Sequence, residues 1–129
     1  MFLKVVALLL AVFMTVTSAG LVGGWTDADV NRDDVQNALK FAVTQHNKAS
    51  NDLYLSQVSR VVKAQKQVVS GMNYLFTVEM ARTSCKKGGV EEVCDVHPDP
   101  NVAKPHVCRL KVWNQPWTST IKLTENTCQ

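Results

Sequence analysis

The chain has 129 residues, a formal net charge of +3 and 46% hydrophobic residues, which suits one domain and leaves no room for two. So weak a positive balance, without interleaved basic and aromatic residues, argues against nucleic acid or an anionic membrane as partner. No phosphate-binding glycine loop is present, and no nucleophile sits with a histidine and a carboxylate, so neither an enzyme nor a cofactor is expected.

The chain opens with Lys4 and an apolar run from Val5 to Val16 that only Thr15 interrupts. The run is short for a membrane span and ends in the small residues Thr17-Ser18-Ala19, the pattern of a secretory signal peptide. We therefore expect residues 1–19 to be a signal peptide and 20–129 to be a single exported domain found outside the cell. Residues 20–28 are glycine-rich and aperiodic, which predicts an N-terminal arm. Asp27 or Asp29 is suited to cap the helix that follows. From Val30 to about Lys48 the apolar residues Val35, Ala38, Leu39, Ala42 and Val43 fall on one helical stripe. The turn-formers of 47–52, among them Ser50, Asn51 and Asp52, end the helix.

Beyond Leu53 the pattern becomes β. Residues 53–69 and 72–84 read as a hairpin with its turn at Ser70-Gly71, and 107–113 with 118–127 as a second, broken at Asn114-Gln115-Pro116-Trp117. Residues 86–105 read as a long surface loop. One helix and several antiparallel strands make the fold class α+β. Four cysteines, Cys85, Cys94, Cys108 and Cys128, point to two disulfides in an exported chain. Three pairings can be drawn, of which the local one, Cys85–Cys94 and Cys108–Cys128, is the simplest. Zinc fits poorly, because there is no C-x-x-C and the histidines lack ligand spacing, so no metal site is expected.

Three uncharged segments stand out: Leu21-Val22-Gly23-Gly24, Gln67-Val68-Val69-Ser70-Gly71 and Pro116-Trp117. Each has a plain structural explanation: a loose terminus, a strand running into a glycine turn, and a tryptophan folded back onto the sheet. In combination, behind a signal peptide and with four cysteines in this order, they resemble the secreted, two-disulfide cystatins, the type 2 class.

The resemblance implies a cystatin-like fold, one long α-helix packed across a five-stranded antiparallel β-sheet. The first strand of that sheet lies just before the helix, where periodicity shows none. It also implies a reversible, tight-binding thiol protease inhibitor of papain-like cysteine proteases such as the lysosomal cathepsins. The arm and the two hairpin tips form a wedge that fills the protease cleft. Leu21 and Val22 would enter apolar subsites, with Gly23 as the arm glycine. Absence of charge suits such a role, since a charge pressed into a closed cleft is desolvated and poorly paired. Burying each arm side chain would yield about 1.5–3 kcal/mol, against about 1–2 kcal/mol to fix a mobile residue.

The resemblance further points to Ser50-Asn51-Asp52 as a second inhibitory site, for legumain, with Asn51 in the specificity pocket. It implies a monomer that can form a domain-swapped dimer, and strain at the β-branched Val69 would favour opening the hairpin. One departure is Trp25, where proline is common in relatives; its ring is expected to pack on the body or touch the protease rim. The competing reading is a non-inhibitory secreted protein of the same fold with a host-defence or binding role.

Overall fold

The computed structural model describes residues 23–89 and 93–129. Five strands form one antiparallel sheet in chain order: β1 (Thr26–Asp27), β2 (Tyr54–Val69), β3 (Gly71–Lys86), β4 (His106–Gln115) and β5 (Thr120–Cys128). The helix α1 (Asp33–Ala49) lies between β1 and β2 in sequence. A single turn of helix, α2 (Pro100–Ala103), stands between β3 and β4.

Small and branched residues on one face of α1 let it approach the sheet closely. Val35, Ala38 and Ala42 are buried, with Leu39, Phe41 and Val43 partly so. Alternate residues of β3 and β4 face them, and Phe76, Val78, Met80, Leu110 and Val112 have no exposed surface. Burial of each such large apolar chain contributes about 1.5–3 kcal/mol. The hairpin of β2 and β3 is 16 residues on each side. Its register shifts between Tyr54 and Ser56, Val58 and Arg60, and Val61 and Lys63. Such bulges bend a strand and increase its twist, which curls the long hairpin around α1.

The helix begins later than its periodicity suggests. Asp29 folds back locally: its carboxylate accepts from the Asn31 amide at 2.9 Å and its carbonyl from the Arg32 amide at 3.1 Å. Asp27 is in β1, opposite Gln65. Neither caps α1. The N-cap is Arg32, which makes no side-chain capping bond; its guanidinium pairs with Asp34 instead. Asp33 and Asp34 in the first turn suit the positive end of the helix dipole instead. The two-residue β1 pairs with Lys66 and Gln65 of β2, supplying the fifth strand.

The disulfides are Cys85–Cys94 and Cys108–Cys128, the local pairing. Cys108 and Cys128 are direct partners across β4 and β5. The segment 86–105 is more ordered than a plain loop. Val96 bridges Thr83, and Asp99 caps α2 by accepting from the Asn101 amide at 2.9 Å. His46 lies near Cys108 and Cys128. Both sulfurs there are committed to the disulfide, and His46 Nδ1 pairs with Asn126 Oδ1 at 2.8 Å.

Candidate functional site: one uncharged end of the sheet

The turn between β2 and β3, the turn between β4 and β5, and the start of the described chain meet at one end of the sheet. At the first turn Gly71 has φ +102, a conformation side chains disfavour. A Cβ there would also press into the carbonyl oxygen of Asn114. Glycine is therefore needed twice over, for the turn and for the approach of the second hairpin. Val69 is not among the residues with positive φ, and the left-handed backbone of the turn falls on Gly71.

The second turn is a 3₁₀ turn, Pro116–Thr118, closed by Ser119 at φ +52. Pro116 supplies the fixed φ at its start. The Thr118 hydroxyl lies 2.7 Å from Gln115 Oε1 and 3.1 Å from the Gln115 carbonyl oxygen. Trp117 does not fold back onto the sheet: it is 68% exposed. Val68, on the first turn, is 62% exposed. Between the tips runs an open groove of about 400 Å³, lined by Val68, Val69, Met72, Pro116 and Trp117 among others. A large exposed indole over a partly apolar groove is a common form of interface anchor.

The arm is tied to the first tip. The Gln67 side-chain amide donates to the Gly23 carbonyl oxygen at 2.8 Å, and Gln67 Oε1 accepts from Asn73 Nδ2 at 3.3 Å. A Cβ on Gly23 would stand 3.3 Å from the Val68 carbonyl oxygen, so the glycine permits close passage. Gly23 and Gly24 are exposed. Leu21 and Val22 lie outside the described residues, as does the proposed signal segment. Trp25 packs on the body, with Lys111 Nζ 5.5 Å from its ring centroid, a cation–π distance.

The tips are also tied to each other. The Ser70 carbonyl oxygen accepts from Trp113 Nε1 at 3.0 Å and from Gln115 Nε2 at 3.2 Å, and Ser70 Oγ lies 3.0 Å from the same Gln115 nitrogen. Asn73, Trp113 and Gln115 carry no sequence signal for these roles, which depend on strand register.

The segment 50–52 is at the other end of β2. About 50 Å of strand separates it from the first tip, at 3.3 Å per residue. Asn51 is exposed, and its neighbours are pinned. Ser50 Oγ accepts from the Asp52 amide at 3.1 Å, and the Ser50 carbonyl accepts from Lys87 Nζ at 2.6 Å. Asp52 accepts from the Tyr54 amide at 3.1 Å and pairs with Arg82 at 2.8 Å. Asn47 brackets the same bend, accepting from the Ser56 amide and donating to its carbonyl.

The family model described as Cystatin domain matches residues 23–117. A relative named Cystatin, from Oncorhynchus keta, is 55% identical over 126 residues, covering 98% of this chain and 97% of its own. A Cystatin-C from Paralichthys olivaceus is 44% identical, covering 92% of this chain and 94% of its own. The crystal structure of dimeric human cystatin F superposes with a TM-score of 0.71 at 28% identity, covering 84% of this chain and 87% of that one. The domain match, the identities and the shared architecture place the chain in the cystatin family, as a type 2 member resembling cystatin-C and an inhibitor of cysteine proteases rather than an enzyme.

Proposed function

We propose that the protein is a secreted, reversible, tight-binding inhibitor of papain-like cysteine proteases of the lysosomal cathepsin type, which it blocks with the arm and both hairpin tips. The carrying observation is the uncharged end of the sheet, where Gln67 bonds to Gly23, Trp113 and Gln115 bond to Ser70, and Trp117, two residues past Gln115, stands exposed. The tips are ordered before binding, so they lose little freedom when they enter a cleft. Leu21 and Val22 would extend the wedge into apolar subsites, and residues 1–19 would direct export. Titrating active papain with residues 20–129 should abolish its activity near one equivalent. Full papain activity at a large excess of the protein would overturn the reading.

A second reading concerns Ser50-Asn51-Asp52. Exposed Asn51, held between two pinned neighbours, is presented as a rigid loop presents a residue to a protease that cleaves after asparagine. Asn51→Ala should abolish inhibition of legumain while leaving papain inhibition intact; equal legumain inhibition by variant and parent would sink this site. A domain-swapped dimer, formed by opening the turn at Ser70-Gly71, would lose the first tip. Size-separated dimer should therefore not inhibit papain, and dimer as potent as monomer would contradict that.

A further inference from the structure

We propose that Trp113 and Gln115 are positioning residues of the inhibitory end, which together hold the Ser70 carbonyl and lock the two hairpin tips into one rigid body. The proposal rests on the protease-inhibitor reading above and adds two residues outside the three contact segments.

The register between β3 and β4 ends at Met72 opposite Asn114. Beyond that pair the backbone ladder offers nothing to fix one tip against the other. Side chains take over there. Trp113 Nε1 and Gln115 Nε2 both donate to the Ser70 carbonyl oxygen, at 3.0 Å and 3.2 Å. A carbonyl oxygen has two lone pairs, so both donors can be satisfied at once. The Gln115 amide nitrogen also lies 3.0 Å from Ser70 Oγ, while Gln115 Oε1 accepts from the Thr118 hydroxyl at 2.7 Å. Gln115 thus spans from the 3₁₀ turn that carries Trp117 to the tip that carries Val69. Missing side-chain bulk at Gly71 lets the two turns close to this distance.

Without the brace, each tip would move independently and would have to be ordered on binding, which is subtracted from affinity. The two donors share one acceptor, so each covers for the other. Loss of either leaves the tip held, and loss of both releases it. A residue that simply touched the protease would behave differently, since independent contacts add.

The test uses residues 20–129 carrying Trp113→Phe, Gln115→Leu, or both. Phenylalanine keeps the ring and removes the indole N–H; leucine keeps the bulk and removes the amide. Dissociation from papain should stay within about 1.5-fold of the parent in each single variant and quicken by about tenfold or more in the double, well beyond the product of the singles, as expected for two donors acting through one acceptor. Association and melting temperature should stay as in the parent, and amide exchange at 69–72 should quicken in the double variant alone. A double variant that dissociates like the parent, or merely as the product of the singles with unchanged exchange at 69–72, overturns the proposal. Should the parent itself leave papain active, the inhibitor reading fails. Exchange at 69–72 then decides the brace by itself: faster in the double variant upholds it, unchanged overturns it.

Discussion

Asp52 holds the 50–54 bend through its charge. Burial opposes ionisation, but the Tyr54 amide, the Arg82 guanidinium and the Lys87 charge outweigh it and hold the pKa below the ordinary 3.8. A depressed carboxyl pKa stabilises the folded state fully above the ordinary value, and the contribution disappears as pH falls through the lowered one. The bend should therefore stay pinned at neutral pH and through mild acid, then loosen below pH 3.8. A carboxyl NMR titration should place the Asp52 midpoint under 3.8, and Arg82→Ala should move it upward; a parent midpoint at or above 3.8 would contradict the geometry. Tyr74 shows the opposite case. Burial and the neighbouring Asp34 carboxylate push its phenol up to about 12, so it remains a neutral donor to Asp34, 3.0 Å away.

At the scale of elements, the proposed wedge would divide the work of binding between the arm and the tips. The tips are braced by β3 and β4, whereas the described part of the arm is held to the tips through Gln67. Removing residues 20–23 should therefore weaken inhibition unevenly across papain-like proteases, most where the apolar subsites fit best. Inhibition constants that fall by one common factor, or not at all, would count against an arm that sets selectivity. The long hairpin is legible from its β-branched and aromatic residues and the Ser70-Gly71 turn, with both strands ending within two residues of the expected limits. β1 is not, because two residues carry no period. The start of α1 is misplaced because Asp29 satisfies nearby turn amides rather than the helix. In 86–105, Asp99-Pro100 is a usable signal for the short α2, since proline favours the first helical position after an aspartate cap. Gly71 and Pro116 stand out in the sequence because turn geometry demands them, whereas the exposure of Trp117 is a finding of the structure, since a tryptophan folded back onto the sheet fits the sequence equally well. Asn73, Trp113 and Gln115 do not, because their partners are set by cross-strand register, which no residue type announces.

At the scale of the molecule, the bent sheet separates two chemically different ends. One end presents uncharged tips and an indole. The other presents Asn51 on a bend held by Arg82 and Lys87. About 50 Å of β2, measured along the strand at 3.3 Å per residue, lies between them. The β2–β3 hairpin, packed on α1, carries the Gln67–Gly71 turn, to which Gly23 on one side and Trp113 and Gln115 on the other are bonded. The central claim is that the uncharged end is the surface that meets a papain-like protease. Its most direct measurement is amide hydrogen exchange of residues 20–129 with and without one equivalent of papain. The account predicts added protection at 23–24, 67–71 and 117–118, with none at 50–52. Protection concentrated at 50–52 or spread over the outer face of the sheet, with the tips unchanged, would contradict it.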